Sequence, residues 1–267
     1  MPTMKNTLGG KIAVVTGAGR GLGQSVAQAL AAAGARVAVV ARSRDQVEGT
    51  VESIARAGGI ARPFVADVGV PSAVEQLRSQ VPAELGAPSI VINAAGVFGP
   101  IQPVVDSDPA RWIETLSINA VGPYLICRAF LPGMLAAGWG RIVNFSSAAA
   151  LHVPGPLNSA YGVSKVALNQ FTRHLAAELQ GTGITANAIH PGEVKTAMWA
   201  AIRDESVSAG QAGAPYRSWA DSVGRSGGDD PQKAVDLVLR LVGDTPDPPN
   251  GQFLWIEGGL QTPIRSW

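Results

Sequence analysis

The sequence predicts an α/β fold: one domain built on a doubly wound parallel sheet of seven strands with helices on both faces. Three observations carry this. Short β-branched runs alternate with longer alanine- and leucine-rich segments along the chain. The strand runs are apolar, as strands covered on both faces must be. At 267 residues, the chain is long enough for one sizeable core.

The elements follow in order. "IAVVT" (12–16) is the first strand, and a helix runs from Leu22 to Ala33; "RVAVV" (36–40) is the second, with a helix from Asp45 to Ala57. Next come "IARPFVAD", a helix near 72–81, "SIVINA" and a long helix over 109–136. "RIVNFS", a helix over 160–180, "ITANAIH", a helix from Pro231 to Leu241 and "GQFLWIEG" complete seven strands and six helices. Parallel neighbours need crossover connections, and the crossing helices cover the sheet. Residues 1–10 read as a flexible N-terminus. The Gly-, Ser- and Ala-rich region over 197–230 reads as an irregular, mobile substrate-binding loop, since long loops in compact domains tend to serve binding. Residues 258–267 form a tail whose Trp267 is expected to pack on a neighbouring subunit.

Bulk properties narrow the function. Formal charge is +1, too small a field to hold nucleic acid or an anionic membrane. The start, "MPTMKNTLGG", lacks the apolar run of a secretory signal, and no later apolar stretch reaches the length of a membrane span, so the expected compartment is the cytoplasm. The single cysteine, Cys127, allows no internal disulfide and reads as a small buried side chain. His152, His174 and His190 are far apart with no ligand spacing, so no metal is expected; His152 is a candidate for substrate contact.

In doubly wound sheets ligands sit beyond the carboxyl ends of the strands. After the first strand the chain reads "TGAGRGLG", Thr16–Gly23, then enters a helix. Glycines there let the backbone approach a pyrophosphate, and the helix start favours the anion. The spacing departs from G-x-G-x-x-G, because Leu22 and Gln24 stand where a third glycine would fall.

"SAYGVSK" places Tyr161 and Lys165 one helical turn apart on the same face, in register with Leu168, Leu175 and Leu179. Lysines usually face water. A core tyrosine beside a snorkelling lysine is the bland alternative. The chemical one is a proton-transfer pair, in which a nearby ammonium favours the phenolate.

With Thr16, Gly17, Gly21 and Gly23, the loop resembles the TGxxxGxG element of the short-chain dehydrogenase/reductase family. "VINAAG" (91–96), "SINAVGPY" with Asn119, "GRIVNFSS", "YGVSK" and "IHPGEVKT" (189–196) are similar to its further motifs, in the same order over nearly the whole chain. The resemblance implies a Rossmann-type oxidoreductase acting on a carbonyl/alcohol pair, joined into a homotetramer or homodimer through its two long helices. It implies Tyr161 as acid/base, Lys165 as its tuner, Ser147 holding the substrate oxygen and Asn119 holding a water chain. Ser146 is the alternative to Ser147, since the family's serine most often stands at the place of Ala148. It also implies cofactor contacts from Gly17, Gly19, Arg20, Gly21, Leu22, Gly23, Asp67, Val68, Asn93, Ala94 and Gly96, and from Tyr161, Lys165, Pro191, Gly192, Val194 and Thr196.

Charge selects the cofactor. At the end of the second strand Ala41 replaces the acid that would bind a ribose 2′-hydroxyl, and Arg42 follows, with Arg20 a second cation. This predicts NADP(H). An N-cap is the alternative reading of Asp67. An NAD-dependent enzyme of the same family and a non-catalytic NADP(H) sensor are the alternatives for the whole chain. With Phe98, Val153, Leu157, Met198 and Trp199 as an apolar pocket wall, a medium-sized apolar ketone, a 3-oxoacyl thioester or a cyclic alcohol would each fit as the small-molecule substrate, and ketone or 3-oxoacyl reduction is expected.

Overall fold

The computed structural model describes residues 6–151, 155–256 and 259–260. His152, Val153 and Trp267 lie outside the described residues.

Seven parallel strands form the sheet: β1 (Ile12–Thr16), β2 (Arg36–Ala41), β3 (Ile60–Val65), β4 (Ile90–Asn93), β5 (Gly140–Phe145), β6 (Ile184–His190) and β7 (Phe253–Trp255). A short antiparallel β8 (Gly259–Leu260) pairs with β7. The order β3-β2-β1-β4-β5-β6-β7-β8 reverses direction between β1 and β4, which opens a crevice at the carboxyl ends of those two strands. The central strands β1, β4 and β5 are buried at every position, whereas β3, at the edge, buries only Ala61 and Phe64, and it tolerates Pro63 there.

Helices α1 (Gly21–Ala32), α2 (Arg44–Arg56) and α9 (Pro231–Val242) cover one face. Their core includes Val26, Leu30, Ile54 and Val238. The other face is covered by α3 (Pro71–Leu85), α5 (Gly122–Ala137) and α6 (Ser159–Glu178), with Leu77, Ile126, Phe130 and Leu175 in its core. Cys127 is buried here, and desolvation pushes its thiol up to about 12, so it packs as an apolar side chain.

The long helix expected over 109–136 is present but not uniform. It consists of α4 (Pro109–Leu116), a π turn over Ser117–Val121, and α5. Among the described residues this 29-residue run, Pro109–Ala137, is long and apolar enough to cross a membrane, with a mean hydropathy of 1.4 over 18 residues. That corrects the expectation that no stretch would reach such a length. In the fold the run lies along the sheet with Ile118, Ile126, Phe130 and Met134 buried.

Two further expectations are corrected. The region over 197–230 is helical, consisting of α7 (Ala197–Ser208), a 3₁₀ turn Gly210–Gly213 and α8 (Ala214–Ser226). Thr196 caps α7, accepting from the Trp199 amide, and Gly227 closes α8 at φ 86°. Ile202, Ala220 and Val223 bury the faces of this pair. Nor are all of residues 1–10 loose: Leu8 is buried in the core, and its amide donates to the Ala33 carbonyl at 2.9 Å.

A polar row marks where the apolar sheet ends. Register aligns Thr16 with Asn93 and Asn93 with Asn144. Asn93 Nδ2 donates to Asn144 Oδ1 at 2.9 Å, and Asn144 Nδ2 donates to Thr172 Oγ1 on α6 at 2.8 Å. All three side chains are buried, so each needs its partner. Asn144→Leu removes one hydrogen bond from each neighbour, leaving Asn93 only the weak Cys127 acceptor, and is expected to cost about 1–3 kcal/mol, read as a lower urea midpoint at unchanged slope.

Candidate active site

The glycine turn is fixed by contact as well as by conformation. Gly17 has φ 65°, and a Cβ there would come within 2.7 Å of the Ala95 amide; one on Gly23 would come within 2.3 Å of the Gly17 carbonyl. Thr16 Oγ1 accepts from the Ala95 amide at 3.2 Å and so ties the turn to the strand β4 loop. Arg20 occupies the N-cap of α1 in an extended conformation without capping through its side chain, and no acidic residue stands in the first turn. The first N–H groups of α1 therefore face the crevice as anion donors. Beyond β6, Gly192 has φ 84°, and Thr196 Cγ2 lies 3.8 Å from the Cβ position of Gly21. Thr196 is thus brought over the glycine turn.

Beyond the carboxyl end of β3, Asp67 does not cap α3. Its Oδ1 accepts from the Gly69 amide at 2.9 Å, while Oδ2 stands 3.6 Å from Arg42 Nη1. Val68 is buried beneath it, against Gly122. Asn93 departs from its expected cofactor role in one respect: the side chain turns into the core toward Asn144 and Cys127, leaving Ala94, Ala95 and Gly96 to border the crevice.

The candidate catalytic group assembles from three elements. Tyr161 and Lys165 sit in the first turns of α6, 8% and 4% exposed, on the stripe that continues through the buried Leu168, Leu175 and Leu179. Lys165 Nζ donates to the Phe145 carbonyl at the end of β5, at 2.8 Å, and lies 5.5 Å from the Tyr161 ring centroid. Burial lowers its pKa to about 8. Ser147 follows β5; its hydroxyl accepts from the Ala149 amide at 3.2 Å and hydrogen-bonds the Tyr161 phenol. Ser146 is turned into the protein, 3% exposed, with its amide donating to the Ile189 carbonyl. Of the two serines, Ser147 is the one brought to the tyrosine.

Tyr161 titrates above its ordinary value because burial disfavours the phenolate, and the Ser147 bond only partly offsets this. Burial thus favours the neutral phenol, against the phenolate that a nearby ammonium was expected to favour.

Asn119 lies in the π turn, fully buried. Its Oδ1 accepts from the Val97 amide at 2.9 Å, and Nδ2 donates to the Val97 carbonyl and Ser164 Oγ. Ser164 in turn donates to the Tyr161 carbonyl at 2.7 Å. Asn119 therefore braces the β4 loop against α6, with Gly96 between it and Lys165. Ser164 was missed in the sequence, where a serine inside a helix carries no signal of its own.

Phe98 packs on Tyr161 with centroids 4.6 Å apart, and Tyr216 from α8 meets Phe98 edge-on at 6.1 Å. The Tyr216 hydroxyl donates to the Pro156 carbonyl at 2.5 Å. Met198 reaches the Cβ position of Gly96 at 3.9 Å. Trp199 instead donates to the Ala220 carbonyl at 3.1 Å and holds α7 to α8. His190 accepts from the Ala148 amide at 3.3 Å, and His174 stands on the outer side of α6 near Gln170.

These residues fit a nicotinamide dinucleotide. The close-packed glycine cradle and the uncapped helix suit a pyrophosphate. Lys165, with three donors of which Phe145 accepts one, suits a ribose hydroxyl.

A family model described as short chain dehydrogenase matches residues 11–207. A short chain dehydrogenase of Pseudocercospora fijiensis is 39% identical over 195 residues, covering 72% of this chain; the chain spans 62% of that relative's length. A short-chain type dehydrogenase/reductase of Picea abies is 34% identical over 261 residues, covering 94% of this chain and 93% of that protein. Among solved structures, a variant of actinorhodin polyketide ketoreductase with NADPH aligns with a TM-score of 0.84 at 28% identity, over 94% of this chain and 97% of that one.

Gly23→Ala forces the Gly17 carbonyl aside. It is expected to cost about 1–3 kcal/mol and to weaken dinucleotide binding, measured by urea unfolding and by fluorescence titration with NADPH.

Proposed function

The chain belongs to the short chain dehydrogenase family, and from that premise we propose that it is an NADP(H)-dependent oxidoreductase that reduces a ketone or 3-oxoacyl carbonyl to the alcohol. The observation that carries the reading is the buried Tyr161 and Lys165 pair with the half-buried Ser147 beside the phenol, at the carboxyl ends of the strands that carry the glycine turn. When bound, a nicotinamide supplies the hydride. This chain's residues do the rest. Ser147 holds the carbonyl oxygen, and the Tyr161 phenol gives it a proton as negative charge develops there. Lys165, fixed by the Phe145 carbonyl, sets its charge beside the phenol and offsets the phenolate left behind. Asn119 and Ser164 hold α6 and the β4 loop in place around the proton donor.

The neighbour solved with NADPH and the pair Arg20 and Arg42, with Ala41 in place of an acid, support the choice of cofactor. Phe98 against Tyr161 and Met198 beside Gly96 support an apolar carbonyl substrate. We also infer a cytoplasmic homo-oligomer. Val121 and Tyr124 on the long helix and Val163 and Val166 on α6 are exposed apolar side chains on the two helices expected to join subunits.

Tyr161→Phe is expected to keep NADPH binding and lose about 10²–10⁴-fold in reduction, read at 340 nm with a carbonyl panel. Cofactor binding by the wild type with no turnover of any carbonyl would favour the sensor reading. Reduction is also expected to fall as pH rises through about 8, where Lys165 loses its proton and the charge beside Tyr161 disappears. A kcat/KM profile over that range checks the sign.

A further inference from the structure

Arg42, the cation expected to meet a 2′-phosphate, is already committed. Its Nη1 lies 3.6 Å from Asp67 Oδ2 and 3.4 Å from Glu114 Oε1. The two acids reach it differently. Asp67 is held by its own turn through the Gly69 amide, whereas Glu114 comes from α4, 72 residues away in sequence. That helix is firmly placed, since Asp108 caps it, accepting from the Ala110 amide at 2.9 Å. Asp67 and Glu114 also share the wall of a cavity of about 370 Å³ whose apolar lining includes Val70, Ile113 and Ile118. A purine has the flat apolar faces to enter it, with its ribose toward Arg42 and the glycine turn, because Ala41 Cβ lies 3.3 Å from the Cβ position of Gly19.

We propose that Glu114 is a specificity-determining residue that sets how strongly the enzyme discriminates NADP(H) from NAD(H). This rests on the cofactor reading above. A 2′-phosphate carries close to two negative charges at neutral pH and has to displace the Glu114 carboxylate from Arg42. A 2′-hydroxyl carries no charge and leaves the Arg42 to Glu114 contact in place. Glu114 therefore weakens NADP(H) selectively and keeps NAD(H) competitive. The pair is about half exposed, 55% and 53%, so the effect is modest and sensitive to salt.

The test measures dissociation constants of NADPH, NADH, 2′,5′-ADP and 5′-AMP for the wild type and Glu114→Gln. At about 0.01 M salt, the substitution is expected to tighten NADPH and 2′,5′-ADP by about two- to fivefold, the strength of an exposed ion pair. NADH and 5′-AMP should move by less than that. At about 1 M salt, where the Debye length is about 3 Å, the gain should vanish. Equal changes for both ligand pairs would overturn the proposal, since that is what a merely structural Glu114 would give, and so would an unchanged NADPH to NADH ratio. Wild-type protein that binds neither dinucleotide would instead sink the cofactor reading.

Discussion

Lys165 is 4% exposed and carries an ammonium whose nearest fixed partner is the Phe145 carbonyl at 2.8 Å. Taking such a group out of water is unfavourable, and the geometry of the site follows from how the fold accommodates it. The bond to Phe145 ties α6 to the end of β5. Tyr161, one turn earlier on the same helix face, is thereby set beside Ser147, which stands two residues beyond Phe145. Desolvation acts on both partners in opposite senses: it lowers the lysine and raises the tyrosine. Each is drawn toward its neutral form, and a neutral phenol is a proton donor.

The second constraint is the reversal of strand order between β1 and β4. It places the glycine turn against Ala94 and Ala95 so closely that no side chain fits at Gly17. The row Thr16, Asn93 and Asn144 separates this crevice from the apolar core and ends at Thr172 on the same helix that bears Tyr161. The buried bonds from Asn93 through Asn144 to Thr172 thus tie the end of β4 to the helix that bears Tyr161.

Much of this was legible in the chain. Periodicity located the seven parallel strands because buried parallel strands are apolar throughout, and the i, i+4 spacing placed Tyr161 and Lys165 on one face because an α-helix repeats every 3.6 residues. Helices α7 and α8 were not legible. The glycines and serines scattered through this stretch lower its intrinsic helix preference despite the alanines, and the two helices are held by contacts between them, such as Trp199 to the Ala220 carbonyl and Arg217 to the carbonyls of Ser206 and Gly210. The π turn at Ser117–Val121 was equally hidden, since nothing in "SINAV" departs from helical spacing.

The sequence by itself determined the fold class, the position of the glycine turn and the placing of Tyr161 and Lys165 on one helix face, because each rests on local spacing. Only the tertiary structure decided what those residues experience. It brought Ser147 rather than Ser146 to the phenol and turned the Asn93 side chain into the core. It made Asn119 a brace between the β4 loop and α6, and set Glu114 beside Arg42. Burial and charge at a side chain depend on partners tens of residues away, and a linear pattern does not encode those distances.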